Sequence, residues 1–320
     1  EIMSGDWSSD VCSSDLLQAL VVPLSFGKGI DSTTLLSIVW NPDKVAFTVF
    51  GHPIVWYAIM WVVGLALAYL VVMKLYKDQH LPDEKFDPLF IYCFVGILLG
   101  ARLGHCLFYE RAYFMANPLE MFLPMKHLAD GSWKFTGYAG LASHGGTLGL
   151  MIALWFYVRK YKVNLMRVLD NIAIATPITA CFIRLGNLMN SEIVGKPTDS
   201  ALGFIFVQNH ENFARHPGQL YEALFYLFLF PIGLWLYKRY KTKVGTGYFF
   251  GWVLTCIFAF RFFVEFLKEV QEPWELSMVE TIGLNQGQML SIPFVVLGLY
   301  CWLGGKYCKK LGEQPTQKKP

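Results

Sequence analysis

Long apolar runs without charges dominate the pattern of this chain. The clearest is IVWYAIMWVVGLALAYLVVM at positions 54–73, which contains no charged residue. A helix of about 20 residues crosses the roughly 30 Å hydrocarbon core of a bilayer. Six more apolar segments of similar length follow, although several of them contain polar residues. The pattern predicts seven transmembrane helices, at 54–73, 88–108, 138–158, 169–190, 221–237, 246–264 and 287–305.

Composition and charge favour a membrane protein over a soluble one. Of the 320 residues, 54% are hydrophobic and 16% are charged, whereas soluble domains carry about 25% charged residues. Loops on one side of the predicted helices hold about twice as many basic residues as loops on the other side, where Lys196, Arg215 and Lys268 lie. Because basic loops stay in the cytoplasm, we expect an all-α polytopic membrane protein with its N-terminus outside and its C-terminus in the cytoplasm. The net charge of +3 gives no reason to expect nucleic-acid binding.

Outside the predicted helices, the chain consists of an N-terminal leader, two long loops and a C-terminal tail. Its first residues are acidic and rich in Ser, repeat SSD, and lack the basic and apolar regions of a signal peptide. Two elaborated extracytoplasmic loops are expected at 110–137 and 191–219, the second with a short strand in GFIFVQN. The predicted divisions are a non-native or disordered leader at 1–31, an extracytoplasmic segment at 32–53, a seven-helix membrane domain at 54–305 and a basic cytoplasmic tail at 306–320.

Cysteine positions predict neither disulfides nor a metal site. Five of the seven cysteines lie in apolar segments, and the chain has no CxxC motif. Isolated cysteines in such segments behave as small buried hydrophobic residues. We therefore expect no disulfide and no metal site, and no other feature of the sequence leads us to expect a cofactor.

Arginines within apolar segments are the first candidates for chemistry. CFIRLGNLMNSEIVG, at 181–195, places Arg184, Asn187 and Glu192 at the end of the fourth predicted helix. Arg184 and Asn187 are three residues apart and therefore share a helix face. A charge inside a bilayer costs at least a few kcal/mol, which favours a functional role. Interfacial or structural ion pairs are the alternative interpretation.

Two further arginines suggest what such a site would bind. Arg261 and Glu265, in FRFFVEF, are four residues apart and can pair along the sixth helix. Arg102 lies in the second helix, three residues before His105. Guanidinium groups bind phosphate oxygens in bidentate fashion and stabilise charge that develops on a leaving group. The arginines predict a site for an anionic lipid headgroup.

Two more motifs carry histidines. HGGTLG, at 144–149, begins with His144, and its glycines allow another helix or a lipid to approach the backbone. His144 would then face a tight apolar site as a general base, although a helix-packing histidine is the alternative. RHPGQLYEA, at 215–223, begins a helix after Pro217 and could hold a polar headgroup through Arg215, His216, Gln219 and Tyr221. Its Glu222 is favoured near a helix N-terminus in any case and alone proves little.

Taken together, these motifs resemble those of the bacterial prolipoprotein diacylglyceryl transferases. The similarity extends over about residues 35–310, through WYAIMWVVG, HGGTLG, FIRLGNLMNSEIVG, RHPGQLYEA, FRFFVEF and GQMLSIP in that order. The resemblance implies seven transmembrane helices in the bacterial inner membrane. It also implies transfer of the sn-1,2-diacylglyceryl group from phosphatidylglycerol to the lipobox cysteine thiol of a preprolipoprotein, which forms a thioether and releases glycerol-1-phosphate. The implied partners are phosphatidylglycerol, the preprolipoprotein signal peptide and membrane lipid.

The resemblance also implies roles for individual residues. Arg184 and Arg261 match essential arginines of the family and would bind and polarise the phosphate. His144 would help to deprotonate the thiol, because only a thiolate is a good nucleophile. Glu265 would orient Arg261, and Asn187 would bind glycerol or phosphate oxygens. Tyr57, Glu192 and Gly195 match other functionally important positions of the family and are candidates for lipid binding. Arg102, His216 and Gln219 are added as candidates from the sequence pattern itself.

The sequence differs from the family pattern at several positions, and other functions are possible interpretations of the same residues. Ile257 stands where many members carry Tyr, Ser191 replaces a common Gly, and Gly218 replaces a common Ser or Thr. A polytopic transporter is the main alternative, because intramembrane charges also line substrate pathways. An intramembrane protease and a structural scaffold are weaker alternatives.

Overall fold

A computed structural model describes residues 37–123, 125–127, 131–135, 142–269 and 273–312 of the chain. The predicted leader lies outside these described residues, and the predicted tail is described only as far as residue 312.

Helices make up most of the described chain. They are α1 Trp56–Asp78, α2 Asp83–Phe108, α3 Arg111–Ala116, α4 Leu119–Phe122, α5 Ser143–Tyr161, α6 Leu165–Met189, α7 Gly218–Arg239, α8 Tyr248–Val264, α9 Pro273–Ile282, α10 Gln286–Trp302 and α11 Lys306–Gly312. Six short strands accompany them: β1 Ile38–Trp40, β2 Val45–Val49, β3 His52–Val55, β4 Met125–His127, β5 Trp133–Phe135 and β6 Phe204–Phe206.

The long helices coincide with the predicted apolar segments. Within the described chain, α1, α2, α6 and α7 are long and apolar enough to cross a membrane. Apolar side chains on α1 remain exposed, such as Val62 at 67% and Leu70 at 52%, as expected for a helix that contacts lipid. The chain is therefore a mostly helical, multi-pass membrane protein.

The chain forms two compact units. Among the described residues, the first unit comprises 37–64, 180–227, 258–269 and 273–292, and the second comprises 65–123, 125–127, 131–135, 142–179, 228–257 and 293–312.

In the second unit, α2 and α5 approach closely because both present glycines. A Cβ atom placed on Gly104 would lie 2.7 Å from the Cα of Gly145, and one on Gly149 would lie 2.8 Å from the Cα of Gly100 and would also overlap the carbonyl oxygen of Gly96. These backbones could not approach as closely with larger residues. The glycines of HGGTLG thus pack one helix against another, as their spacing predicted.

Replacing Gly149 with alanine should destabilise this packing. The added Cβ meets backbone atoms that cannot rotate away, so we expect a loss of about 2 kcal/mol and a thermal midpoint lowered by roughly 5 °C. Gly146→Ala is the matched control, because its Cβ would lie 3.4 Å from the nearest atom, the Cβ of Ala101. Thermal unfolding of purified protein in detergent measures both. Equal midpoints for the two variants would contradict the packing argument.

A buried carboxylate in the second unit fixes the start of α8. Asp170 on α6 is fully buried. Its side chain accepts hydrogen bonds from the backbone N–H groups of Gly245 at 2.8 Å, Gly247 at 3.1 Å and Phe250 at 2.8 Å. These donors lie at and just before the helix N-terminus, where N–H groups lack intrahelical partners. Asp170 therefore caps the N-terminus of α8, and this structural role explains its burial.

In the first unit, the predicted outer loop folds against the end of α6. β6 pairs with β1 in parallel, which confirms the strand predicted in GFIFVQN. The indole N–H of Trp40 donates to the carbonyl oxygen of Leu188 at 2.9 Å, and Leu188 packs with Phe204 and Phe206 in a buried cluster. This packing fixes the backbone that leads out of the signature helix.

Arg215 ties the same loop to the segment after α8. Its guanidinium donates to both carboxylate oxygens of Glu211, to Glu269 at 2.7 Å and to the carbonyl oxygen of Gly195 at 3.1 Å. The hydrogen-bonded carboxylate of Glu211 raises the pKa of Arg215 above its ordinary value, so Arg215 remains charged. The sequence suggested Arg215 as a headgroup ligand. In the structure its guanidinium forms these hydrogen bonds within the protein.

Candidate functional site

The signature motif folds as the last turns of α6 and a tight turn that follows. Arg184 donates through Nη1 to the Oδ1 of Asn187 at 3.2 Å. Asn187 donates in turn through Nδ2 to Glu192 at 3.2 Å, and Asn190 donates to the other oxygen of the same carboxylate at 3.0 Å. Asn187 therefore joins the arginine to Glu192, and the amides of Asn187 and Asn190 give each oxygen of that carboxylate a donor.

Backbone conformation explains one departure from the family pattern. Ser191 has a φ of 56°, which lies in the left-handed region that glycine adopts most easily. A common glycine at this position is thus explained by the turn. Ser191 adopts the same conformation in this chain. Its backbone N–H donates to the carbonyl oxygen of Leu188 at 3.0 Å, which closes the turn.

Arg184 has a buried carboxylate as its second partner. Its Nε lies 2.9 Å from the Oε2 of Glu222 on α7, and Glu222 is fully buried. The hydroxyl of Tyr226 donates to the other carboxylate oxygen at 3.4 Å. An ionised carboxylate at full burial requires a close cation, so this ion pair fixes the orientation of Arg184.

Arg261 has a comparable carboxylate partner. Its Nε lies 3.6 Å from the Oε1 of Glu265, which confirms the pairing that the spacing predicted. Asn285 donates to the Oε2 of Glu265 at 3.2 Å, and a Cβ on Gly287 would lie 2.7 Å from the carboxylate carbon. Glu265 is therefore held from two sides, while the Arg261 side chain is 38% exposed.

Lys268 lies between the two carboxylates. Its Nζ is 3.1 Å from the Oε2 of Glu222 and 3.1 Å from the Oε1 of Glu265. We call Arg184, Glu222, Lys268, Glu265 and Arg261 the charge cluster. Its three cations and two carboxylates leave one net positive charge, which suits the binding of a singly charged anion such as a phosphodiester.

Several other predicted residues lie in the same unit as the charge cluster. Gln219 is fully buried and donates to the carbonyl oxygen of Glu192 at 2.7 Å. The Nδ1 of His216 lies 3.1 Å from the hydroxyl of Tyr221. A Cβ on Gly186 would lie 2.8 Å from the ring of Tyr57, so that ring packs against the signature helix.

Gly195 allows three backbone segments to meet. Its N–H donates to the carbonyl oxygen of His216 at 2.8 Å, and the next N–H, that of Lys196, donates to the carbonyl oxygen of Leu267 at 2.8 Å. A Cβ at Gly195 would lie 2.6 Å from the Cβ of His216 and 2.7 Å from the carbonyl oxygen of Leu267. This glycine thereby fixes the backbone immediately before Lys268.

Replacing Gly195 with alanine should impair activity by moving Lys268. The Cβ would push apart segments joined by backbone hydrogen bonds, and we expect about a tenfold loss in kcat from the displaced charge cluster. Gly218→Ala is the control, because its Cβ would lie 3.4 Å from the Cγ of Lys268, an ordinary contact. Turnover is compared after both variants are matched for folded fraction by gel filtration. Full turnover of Gly195→Ala would contradict this role.

Arg102 and His144 belong to the second unit. Arg102 is buried and donates to the carbonyl oxygens of Glu120 at 2.7 Å and Met121 at 3.3 Å, with its guanidinium 4.7 Å from the ring centre of Phe114. These contacts give it a structural role in holding the segment after α3. His144 is exposed, and the tight backbone contacts with α2 are made by the neighbouring glycines, such as Gly145 and Gly149.

Sequence reasoning missed two members of the charge cluster. Glu222 was set aside because a glutamate is common near a helix N-terminus, and Lys268 was counted as an ordinary basic residue of an outer loop. Spacing carried a signal for the second residue: Lys268 follows Glu265 by three positions and Arg261 by seven, which are positions on one helix face. For Glu222, no spacing connects it to Arg184, because the two residues lie on different helices.

Comparison with known proteins identifies the family. Residues 44–304 match the family described as prolipoprotein diacylglyceryl transferase. A phosphatidylglycerol–prolipoprotein diacylglyceryl transferase of Bacteroides fragilis is 58% identical over 266 residues, which cover 83% of this chain and 94% of that protein. Proteins of the same name from Porphyromonas gingivalis and Tolumonas auensis are 45% and 38% identical, covering 82% and 83% of this chain and 93% and 96% of their own lengths. The chain therefore belongs to the prolipoprotein diacylglyceryl transferase family.

Proposed function

We propose that this protein transfers the sn-1,2-diacylglyceryl group of phosphatidylglycerol to the lipobox cysteine thiol of preprolipoproteins. The observation that carries the proposal is the charge cluster, in which Arg184 and Arg261 are each oriented by a carboxylate. It lies in a chain whose relatives are named for phosphatidylglycerol and prolipoprotein. The phosphodiester of this lipid has one negative charge, which the net positive charge of the cluster balances.

The chemistry assigned to this site is a displacement at carbon. The thiolate attacks the glyceryl carbon attached to the phosphate oxygen, a C–S bond forms, and the C–O bond breaks with its electrons passing to oxygen. Glycerol-1-phosphate leaves with one more negative charge than the diester. Arg184 and Arg261 stabilise that added charge as it develops, which is where fixed cations lower a barrier most effectively.

Other residues are assigned supporting roles. Asn187, which contacts Arg184, is placed to bind glycerol or phosphate oxygens, and Glu265 orients Arg261. His144 is assigned to receive the thiol proton, because imidazole exchanges protons near neutral pH. The exposure of its ring is compatible with contact to an incoming peptide. The other candidates for lipid contact remain Tyr57, Glu192, Gly195, His216 and Gln219.

We also propose how the chain lies in the membrane. Helices α1, α2, α5, α6, α7, α8 and α10 cross the bacterial inner membrane, with the N-terminus outside and the tail after residue 305 in the cytoplasm. The twofold excess of basic residues in the loops assigned to the cytoplasm supports this orientation. The outer loops would then meet exported preprolipoproteins.

A transfer assay with matched substrates tests the proposal. Wild-type protein in proteoliposomes is incubated with a lipobox peptide, and the peptide mass is measured. A diacylglyceryl mass gain should appear with phosphatidylglycerol and the cysteine peptide. It should be absent with phosphatidylcholine as the sole lipid, or with a peptide that carries serine in place of cysteine. Equal modification of the serine peptide, or no modification by folded protein, would overturn the proposal.

A further inference from the structure

Lys268 is the one cation of the charge cluster to which the proposed chemistry gives no task. It follows α8, and its side chain is only 3% exposed. A buried ammonium requires compensation by close carboxylates. Lys268 has two, at 3.1 Å each, and they come from different parts of the chain, Glu222 on α7 and Glu265 at the end of α8.

Each of those carboxylates also contacts one arginine. The five residues therefore form a continuous chain of ion pairs. Glu222 lies 2.9 Å from Arg184 and 3.1 Å from Lys268. Glu265 lies 3.1 Å from Lys268 and 3.6 Å from Arg261. In the described part of the chain, Lys268 is the only residue that forms ion pairs with both carboxylates. Without it, two negative groups would face each other across the space that its ammonium occupies, and they would repel one another.

The backbone of Lys268 is fixed independently of these charges. Lys268 forms an antiparallel bridge with Gly195, and the N–H of Lys196 donates to the carbonyl oxygen of Leu267 at 2.8 Å. Gly218 lies beside its side chain, where a Cβ would come within 3.4 Å of Cγ. The ammonium is thus presented from a fixed backbone, which is what a spacer between two carboxylates from different parts of the chain requires.

We propose that Lys268 is a positioning residue that sets the spacing of the Arg184 and Arg261 guanidiniums by holding their carboxylate partners together. The inference rests on the proposed function, since it assumes that the two guanidiniums bind the phosphate of phosphatidylglycerol. Each would contact one non-bridging oxygen, so their separation must match the separation of those oxygens. An error of about 1 Å in the position of a catalytic group can cost on the order of 100-fold in rate.

Two substitutions separate charge from size. Lys268→Met keeps a long unbranched side chain and removes the charge. Its kcat should fall on the order of 100-fold, and the KM for phosphatidylglycerol should change less. Lys268→Arg keeps the charge and should recover a large part of that loss. Lys196→Met is the control, because it removes an exposed lysine from the adjoining outer segment, and it should retain wild-type turnover.

A ratio of rates distinguishes positioning from loss of folded protein. Phosphatidylglycerol is prepared as two phosphorothioate diastereomers, in which sulfur replaces one or the other non-bridging oxygen. Wild-type enzyme should prefer one diastereomer, because each guanidinium contacts a defined oxygen. Lys268→Met should shift the ratio towards one, and Lys268→Arg should retain the wild-type preference. The ratio does not depend on how much protein is folded.

The outcomes separate this inference from the proposed function. Lack of transfer by wild-type enzyme from unmodified phosphatidylglycerol would overturn the proposed function and the inference with it. Normal wild-type transfer, combined with an unchanged diastereomer ratio in Lys268→Met, would overturn the inference alone. A wild-type ratio of one would also overturn it, because the phosphate would then not be held at two distinct points.

Discussion

Replacing Arg184 with alanine is expected to lower diacylglyceryl transfer by about 1000-fold, the upper range for loss of one charge-stabilising donor. The variant should remain folded, because Glu222 keeps Lys268 as a cation 3.1 Å away. Transfer is measured by peptide mass in proteoliposomes, and folding by thermal unfolding in detergent. The expected combination is lost activity with a thermal midpoint close to that of the wild type.

Two matched variants sharpen this test. Arg184→Lys keeps the charge but cannot contact a phosphate in bidentate fashion, so its activity should lie between those of the alanine variant and the wild type. Arg239→Ala removes an exposed arginine at the end of α7 and should leave transfer unchanged. Near-normal transfer by folded Arg184→Ala would show that this guanidinium does not stabilise the leaving phosphate.

Glutamine in place of Glu222 should produce the largest loss of stability among these variants. The change leaves Arg184 and Lys268 facing a buried neutral amide, with no carboxylate between them. Breaking a buried ion pair on one side costs about 3–5 kcal/mol, which corresponds to a midpoint lowered by roughly 10 °C. Transfer should fall as well, because Arg184 loses the contact that orients it. Thermal unfolding in detergent and the transfer assay measure the two effects.

A double variant tests the cause of this loss. Adding Lys268→Met to Glu222→Gln removes a buried cation that has lost one of its two carboxylate partners, so the double variant should unfold at a higher temperature than Glu222→Gln alone. Glu280→Gln is the control, because it changes an exposed glutamate on α9 and should unfold like the wild type. A double variant that is no more stable than the single one would contradict an electrostatic origin.

The helices and the arginines were predictable because their signals are local. An uncharged run such as 54–73 specifies a membrane-length helix by composition alone, and the pairing of Arg261 with Glu265 follows from a spacing of four residues along one helix. The strand within GFIFVQN and the glycine packing of HGGTLG were likewise readable from short stretches. In each case the signal is a short stretch of sequence, even where the stretch packs against a distant part of the chain, as HGGTLG does against Gly100 and Gly104.

Features that depend on distant parts of the chain were not predictable. Glu222 becomes important only because α7 places it 2.9 Å from Arg184 on α6, and a sequence carries no periodicity for such a contact. Lys268 resembles any basic loop residue until two carboxylates are found around it. The contacts of Arg102 were equally unpredictable, since this guanidinium, predicted from the sequence as a lipid ligand, donates to the carbonyl oxygens of Glu120 and Met121.

The most direct test of the central claim is the stoichiometry of the two products in one reaction. Wild-type protein in phosphatidylglycerol liposomes is given the lipobox peptide, and thioether-linked peptide and glycerol-1-phosphate are quantified by mass spectrometry in the same samples over time. A phosphate that leaves from the Arg184 and Arg261 site predicts equal amounts of the two products at every time point, and neither product with Arg184→Ala. Modified peptide formed without an equal amount of glycerol-1-phosphate would contradict the account.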